Sequence, residues 1–530
     1  MNSPRSDRRP SRLDRRTLLA GTGAAGLAAT LLPGSALASR QQGATPSAAT
    51  PVPGGTLGLG VQGDPTELDP AKTNLAAAIV VIDLVYEGLV HDGPDLVPQP
   101  SLAERWDISE DGLTYTFHLR SGVMFHHGRE LTSDDVVFTF ERVMNPETAS
   151  PWLPYTDGIV SIDAPDAATV VFTLDAPDAA FLAGLARKGL VIVPRDILEE
   201  EGGLNQRMVG TGPFTFGEYV PNTNLALGRN ENYWDEGKPY LDGLNIQIVP
   251  DDTARTTALV SDTVQLIEQV PHKDIAIIEE TDGVDLIGGL ATNLRWLVFN
   301  LRREPFDRLE VRQAIARGIL RQPIIDAAVF GYGDPLLGMY PETFWFGYEG
   351  DIPEPDPEGA ASALAELGLP DDFRPGLLTW AQYGFLTNTS VVVQEQLKQV
   401  GIESEIEAEE NATYIGRFYE YDFDIAVMGA AGYVDPNDFL QQNFASDEVN
   451  NTSGYANPEI DRLLAEGLAT TDRDERAAIY QEIQQILIDD APWINLYTSE
   501  TYEGASDRVR GFTHYLSGSF YGLRETWLEG

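Results

Sequence analysis

The sequence predicts an α/β protein with mixed β-sheets. Short apolar strand patterns alternate with helical patterns along most of the chain, an order that favours sheets covered by helices. With 530 residues the chain is too long for a single hydrophobic core, so two or three subdomains are expected. A hydrophobic content of 42% with 9% aromatic residues is typical of an ordered globular protein.

The stretch 112–143 predicts a strand, a turn and a helix in succession. Apolar and polar residues alternate over 113–120, which is the period-2 pattern of a half-buried strand. Residues 132–135, Thr-Ser-Asp-Asp, supply a helix cap followed by acidic residues at the positive helix end. Apolar residues at helical spacing over 136–143 then give this helix one buried face.

The remaining elements follow from the same two periodicities and from glycine and proline positions. Pro323 can occupy the first turn of a helix, and Gly331 and Gly401 can end helices. Strands are predicted over 55–60, 294–300, 402–406, 423–427 and 491–498, and helices over 74–88, 252–260, 311–319, 323–331, 391–400 and 471–487.

The N-terminus is predicted to be a signal peptide over residues 1–38. Arg15 and Arg16 precede a Gly/Ala/Leu run, and Ala36–Ala38 offers a small-residue cleavage site. Paired arginines before a weakly apolar segment are typical of a twin-arginine signal; an ordinary secretory signal is the alternative. Residues 39–53 form a predicted flexible tether. We therefore expect a protein exported to the periplasm or the cell exterior.

Composition excludes several classes of function. The formal net charge of −46 is incompatible with nucleic-acid binding through a basic patch. Without cysteine there is no disulfide, no thiolate metal site and no lipid attachment point after the signal. The six histidines are scattered, and adjacent His126 and His127 are interpreted as structural. No metal and no cofactor are therefore expected.

Three further motifs accompany the stretch 112–143. They are Pro-Thr-Glu-Leu-Asp-Pro at 65–70, Gly-Thr-Gly-Pro-Phe at 210–214 and Asn-Glu-Asn-Tyr-Trp at 230–234. Together these motifs resemble the family 5 extracellular solute-binding proteins, the dipeptide- and oligopeptide-binding subunits of ABC importers. The resemblance extends over most of the chain between Gly54 and Ser517.

The resemblance implies a two-lobed periplasmic-binding-protein type II (Venus-flytrap) fold with mixed sheets, a small extra subdomain and a hinge. Its hinge crossings are expected near 293–300 and 491–497. The implied parts are lobe I over 54–90, 207–290 and 495–530, an accessory subdomain over 91–206, and lobe II over 291–494.

The loop Met428–Phe439 is the strongest candidate for ligand contact. In peptide-binding relatives it resembles W-x-x-D-x-x-[DE]-P, and the first Asp pairs with the peptide ammonium. Asp435-Pro436 fits the end of that pattern, but the ammonium-binding position falls on Gly432 or Tyr433. Neither residue supplies a carboxylate, and an unpartnered desolvated ammonium would cost several kcal/mol. A peptide, an oligosaccharide and another polar organic solute therefore remain as ligand classes.

The candidate ligand-binding residues combine this loop with aromatic and polar residues elsewhere. The rings would suit a sugar face, Asn411 falls where oligopeptide binders place a Trp, and Asp435 either orders its loop or contacts the ligand. The set is Gln62, Trp296, Tyr332, Trp380, Asn411, Gly432, Tyr433 and Asp435.

The implied function is solute capture rather than catalysis. The protein is expected to be a monomer that binds a peptide or small molecule. It would reach the membrane only through the permease and ATPase subunits of an ABC importer. A secreted hydrolase is the remote alternative, and the sequence contains no HExxH motif and no P-loop to support it.

Overall fold

The computed structural model describes residues 50–201, 203–204, 207–370, 372–431 and 433–530. The predicted signal peptide over 1–38 and the tether residues 39–49 lie outside the described residues.

Strands occur throughout the described part of the chain. They are β1 (Thr56–Val61), β2 (Val90–Asp92), β3 (Pro98–Pro100), β4 (Ala103–Ile108), β5 (Thr114–Leu119), β6 (Ile159–Asp166), β7 (Thr169–Leu174), β8 (Phe214–Val220), β9 (Asn224–Arg229), β10 (Gly243–Ile248), β11 (Leu266–Ile267), β12 (Val284–Gly289), β13 (Asn293–Phe299), β14 (Gly333–Pro335), β15 (Gly376–Trp380), β16 (Glu405–Glu409), β17 (Ile425–Ala431), β18 (Trp493–Ser499), β19 (Thr501–Ser506), β20 (Val509–Arg510) and β21 (Trp527–Leu528).

Helices alternate with these strands, as the sequence predicts. They are α1 (Ala76–Val85), α2 (Ser133–Met144), α3 (Phe181–Leu185), α4 (Arg195–Glu201), α5 (Asp252–Val260), α6 (Ile275–Glu279), α7 (Leu309–Gly318), α8 (Arg321–Val329), α9 (Pro357–Leu367), α10 (Gly384–Gln399), α11 (Asn411–Tyr419), α12 (Pro436–Phe444), α13 (Pro458–Ala469) and α14 (Arg473–Asp490).

A seven-stranded mixed sheet in the order β12-β19-β11-β1-β10-β9-β8 forms the centre of what we call the first lobe. Its central strand β1 runs parallel to both neighbours, β10 and β11. Leu57 and Leu59 of this strand are fully buried, which accounts for its apolar sequence. The sheet is discontinuous in sequence because its strands come from residues 56–61, 214–289 and 501–506.

A six-stranded sheet in the order β14-β18-β13-β17-β15-β16 forms the centre of the second lobe. Strand β13, predicted from its apolar run, pairs antiparallel with β17 and β18 and is buried along nearly its whole length. The chain enters this sheet between β12 and β13 and returns between β18 and β19. Asn293 holds the two crossings together: its Nδ2 donates to Ser499 O (2.7 Å), and its Oδ1 accepts from Ser499 N (2.8 Å).

The four-stranded sheet β4-β5-β7-β6 and helix α2 form an accessory subdomain. The prediction for 112–143 is confirmed here, because β5 alternates between buried and half-buried residues. Helix α2 begins with a capping box between Thr132 and Asp135.

Helix α10 begins at Gly384, seven residues before the predicted start. Its first turns contain Thr389 and Ser390, whose hydroxyls donate to carbonyls four residues earlier. Because these buried residues are polar, the sequence shows no apolar helical pattern in this part of the helix.

The Gly210–Phe214 turn leads into β8 along a path that only glycine permits. A Cβ on Gly210 would lie 2.1 Å from Val85 O, and one on Gly212 would lie 2.7 Å from the same oxygen. His126 also joins this turn: Gly210 N donates to its Nδ1 (3.3 Å), and its Nε2 donates to Gly212 O (3.0 Å). The imidazole is therefore the neutral tautomer with its hydrogen on Nε2, and its role is structural, as the sequence indicates.

Acid is expected to weaken this turn. Burial lowers the pKa of His126 from 6.5 to about 4, so on acidification the unfolded chain binds the proton first. The stability that the neutral ring contributes is complete above pH 6.5 and declines as the pH falls towards 4. His126→Gln should flatten the decline in urea-unfolding free energy between pH 7 and pH 4 relative to the unmodified protein. His118→Gln, in the exposed pair with Asp107, is the control; equal pH profiles for both variants would contradict this account.

A candidate ligand-binding cavity between the two lobes

A cavity of about 830 Å³ lies between the two large sheets. Residues of both lobes line it, and its volume is within the range of about 300–1,000 Å³ that is typical of small-molecule sites. Because each wall belongs to a different lobe, a ligand in this cavity contacts both.

The first-lobe wall is built where neighbouring parallel strands end. Strands β1 and β11 run side by side, so their carboxyl ends place Gln62 and Glu268 together. The backbone N–H of Gln62 donates to Glu268 Oε1. Burial raises the pKa of Glu268, whose carboxylate faces the cavity and forms no ion pair with any described residue.

The other charged groups of this wall bind one another. Arg255 Nη2 donates to Asp252 Oδ1 (2.8 Å), and His514 Nδ1 lies 2.8 Å from Glu503 Oε2. Lys273 Nζ bonds Asp274 Oδ2 at 2.9 Å. Glu268 thus differs from its neighbours in forming no ion pair within the described part of the chain, although the nearby charge of Arg255 opposes the rise in its pKa.

The second-lobe wall is built at the start of β13 and the end of β17. These strands are antiparallel, so Asn293 lies beside Ala431 and Arg295 lies beside Gly429. The first turn of α10 adds Tyr383, Gly384 and Phe385 to the wall.

Arg295 is the basic residue of this wall. Its Nη1 donates to Leu294 O (2.7 Å) and Ala430 O (3.2 Å), and its Cζ lies 4.4 Å from the centre of the Phe385 ring. Its Nε is buried and has no hydrogen-bond partner, and burial lowers the pKa of the guanidinium. No carboxylate of the described residues forms an ion pair with it.

Gly429 makes space for this guanidinium. A Cβ at position 429 would lie 2.7 Å from Arg295 Cδ and 3.0 Å from its Nε. A Cβ is essentially never found closer than 3.0 Å to another heavy atom, so a side chain at 429 would displace the arginine.

The lobes also contact each other outside the cavity. Arg187, next to the accessory subdomain's core, pairs with Asp438 of α12 (Nη2–Oδ2 2.5 Å), and both side chains are mostly buried. Ala179 N donates to Leu468 O (2.8 Å) in the same region. These contacts join residues 179–187 to α12 and α13 of the second lobe.

Neutralising Asp438 is expected to favour cleft opening. Asp438→Asn would remove the carboxylate charge that binds Arg187 between the lobes, so an arrangement in which these two residues are in contact becomes less stable relative to an open one. We expect a larger radius of gyration by small-angle X-ray scattering. Glu199→Gln, in the exposed pair with Arg195, is the control; an unchanged radius for Asp438→Asn would show that the pair does not hold the cleft.

The predicted site residues are distributed unevenly around the cavity. Gln62 lines it. Gly432 lies outside the described residues, and the lining of the described part does not include the other six. Trp296 stacks on Trp493 (ring centres 4.8 Å apart), and Trp380 stacks on Tyr414 (4.8 Å). Ligand contact through these two rings stays a prediction that the cavity geometry does not support.

Three of the remaining four residues are also placed away from the lining. Tyr332 packs beside the smaller core of the first lobe, and Asn411 is the exposed first residue of α11. The Tyr433 ring lies 4.4 Å from the Phe439 ring. A ligand-binding role for these residues stays a prediction.

Asp435 is occupied by structural contacts. Its carboxylate forms two hydrogen bonds of 2.9 Å with Arg476, and it caps α12 by accepting from Asn437 N. Of the two roles considered for Asp435, these contacts correspond to ordering of the loop.

Sequence reasoning missed Arg295, Glu268 and Phe385. The sequence did contain a signal for Arg295. Charged residues are rarely buried, and this one lies inside the buried strand Leu-Arg-Trp-Leu-Val-Phe. Glu268 had no such signal, because the chain contains 82 acidic residues.

Known proteins resemble this chain over nearly all of the described residues. The sequence model described as bacterial extracellular solute-binding proteins, family 5 Middle, matches residues 97–451. Heme-binding protein A of Haemophilus influenzae is 32% identical over 461 residues, which cover 80% of this chain and 84% of that protein.

The chain belongs to family 5 of the bacterial extracellular solute-binding proteins.

Solved structures confirm the type II periplasmic-binding-protein fold of this solute-binding protein. AgaA of A. tumefaciens R10, in complex with agropinic acid, is 31% identical with a TM-score of 0.76, covering 90% of this chain and 99% of that one. DppA of Helicobacter pylori, in complex with the peptide STSA, is 28% identical with a TM-score of 0.78 and the same coverage.

Family membership makes the chain the substrate-binding subunit of an ABC importer. Among the described residues, no helix has the length and apolar character needed to cross a membrane. The same residues contain no group of three or more His, Asp or Glu side chains arranged to hold a metal ion.

Proposed function

We propose that this solute-binding protein captures short peptides in the interlobe cavity and delivers them to a membrane permease driven by an ATPase. The observation that carries the proposal is the cavity itself, which residues of both lobes line. A ligand that contacts both walls stabilises the closed form in proportion to its extra affinity for that form. Closure then presents the permease with a surface that the open form lacks.

A peptide fits the chemistry of the walls. The strand ends at Gln62 and Ala431 line the cavity, and charged side chains line it from both lobes. The DppA neighbour holds a four-residue peptide in the same fold. The sugar alternative depended on the rings of Trp296, Tyr332, Trp380 and Tyr433, and these lie outside the lining of the described cavity.

The setting of the protein follows from the sequence. Arg15 and Arg16 support export through the twin-arginine route, and the protein acts outside the cytoplasm as a monomer. Association with the membrane is through the importer subunits. The sheet topology supports lobe I over 54–90 and 207–290, the accessory subdomain over 91–206 and lobe II from 291, but the expected boundary between 494 and 495 falls inside β18 (Trp493–Ser499), so lobe II extends to 499 and lobe I resumes with β19.

Thermal unfolding in the presence of defined solutes tests the ligand class. A mixture of tripeptides should raise the unfolding temperature, because a ligand that binds only the folded state stabilises it. Maltotriose at the same concentration, as a representative oligosaccharide, should leave it unchanged. A shift with maltotriose and none with tripeptides would overturn the proposal.

A further inference from the structure

Two charged groups of opposite sign face the cavity from opposite lobes. Arg295 of the second lobe contacts carbonyl oxygens and the Phe385 ring, and Glu268 of the first lobe accepts from the backbone of Gln62. Neither forms an ion pair within the described part of the chain. Removing a charge from water costs several kcal/mol unless an opposite charge or several hydrogen bonds replace the lost hydration.

Most other charged groups of the lining are bound to an opposite charge, although Arg255 Nε, like Arg295 Nε, is buried without a hydrogen-bond partner. Arg255 binds Asp252, Glu503 binds His514, and Lys273 binds Asp274. His272 donates from Nε2 to Glu500 O (2.8 Å). The charges that remain available to a ligand among the described residues are therefore those of Glu268 and Arg295.

The second-lobe wall also has the opposite charge from the one its loop carries in peptide-binding relatives. The pattern W-x-x-D-x-x-[DE]-P places a Trp near position 429 and a carboxylate near position 432. This chain instead has Gly429, whose missing side chain leaves the space that Arg295 fills. Arg295 thus places a cation on this wall beside position 429, where the pattern has a Trp.

We propose that the cavity binds a zwitterionic solute in one fixed direction, with the ligand cation at Glu268 of the first lobe and the ligand carboxylate at Arg295 of the second. This inference rests on the proposed peptide function, for which it names the two anchoring residues. The Arg295 guanidinium can donate a charge-assisted hydrogen bond to a carboxylate from Nη2, because Nη1 already donates to Leu294 O and Ala430 O and Nε is buried. Because the two anchors belong to different lobes, only a ligand that carries both charges links them.

Chemically blocked peptides test the direction of binding. Dissociation constants are measured by native mass spectrometry for one tripeptide mixture in three forms: free, N-acetylated and C-amidated. Either blocking group should weaken binding to the unmodified protein at least about thirtyfold, because it leaves a desolvated charge without its partner.

Each variant should lose the preference for one free peptide terminus and keep the preference for the other. Arg295→Gln should bind free and C-amidated peptides equally well while still rejecting N-acetylated ones. Glu268→Gln should bind free and N-acetylated peptides equally well while still rejecting C-amidated ones. A purely structural role of either residue would weaken all three forms alike. Gly429→Ala should lose the preference for free carboxylates, and Lys398→Gln, which changes an exposed charge of α10, should behave as the unmodified protein.

The outcomes separate this inference from the proposed function. If all three forms bind the unmodified protein equally, or if the variants keep both preferences, the zwitterion inference is overturned and peptide binding stands. If none of the three forms binds, both are overturned.

Discussion

Replacing Asp435 by alanine is expected to destabilise the second lobe by about 3–5 kcal/mol. The substitution leaves the buried guanidinium of Arg476 without its two 2.9 Å carboxylate bonds. The remaining bonds of Arg476, to Gly467 O and Tyr480 Oη, do not neutralise its charge. Urea unfolding followed by circular dichroism measures the loss.

The control for this prediction is Asp472→Ala. Asp472 is exposed and caps α14 by accepting from Asp474 N and Glu475 N, so its removal should cost about 1 kcal/mol. Equal losses for the two variants would show that the Asp435–Arg476 pair contributes no more than a surface cap.

Gly210→Ala is expected to destabilise the first lobe by about 3 kcal/mol, the upper part of the range for overpacking. The new Cβ would lie 2.1 Å from Val85 O at the end of α1, so the helix end and the turn must separate. That separation also displaces His126, whose ring bonds both sides of the turn. The unfolding temperature and the free energy from urea unfolding both report the change.

Gly416→Ala makes the same substitution at a position where we expect it to stabilise the protein. Gly416 lies inside α11, and a Cβ there would meet nothing within 4 Å. Because alanine favours helices over glycine, this variant should be up to about 1 kcal/mol more stable. A similar loss in both variants would contradict the close approach at Gly210.

Local patterns were sufficient to predict much of the fold. The capping box at Thr132, the alternation of β5 and the apolar run of β13 each encode their element within a few residues. Helix α10 was predicted too short because side-chain to backbone hydrogen bonds, which sequence periodicity does not reveal, satisfy the hydroxyls in its first half. Helices α12 and α13 each begin after a capping residue. Such a residue does not by itself predict a helix, because the stability of the helix depends on tertiary packing.

The site was harder to predict, because whether a side chain faces the cavity or the core depends on distant segments. Gln62 was predicted for the site and lines the cavity. Trp296 has the residue type of a ligand contact, but Trp493, nearly 200 positions later, covers its face. Arg295 faces the cavity only because Gly429 on a separate strand leaves space for it. No motif within one segment could reveal that pairing.

Mass spectrometry identifies the small molecules that co-purify with the native protein and are released by denaturation. We expect short peptides that carry a free amino terminus and a free carboxyl terminus. Such peptides would show that the cavity receives an ammonium without the family's loop carboxylate. Release of a neutral oligosaccharide, or of a solute lacking either charge, would contradict the central claim that this receptor binds zwitterionic peptides between its lobes.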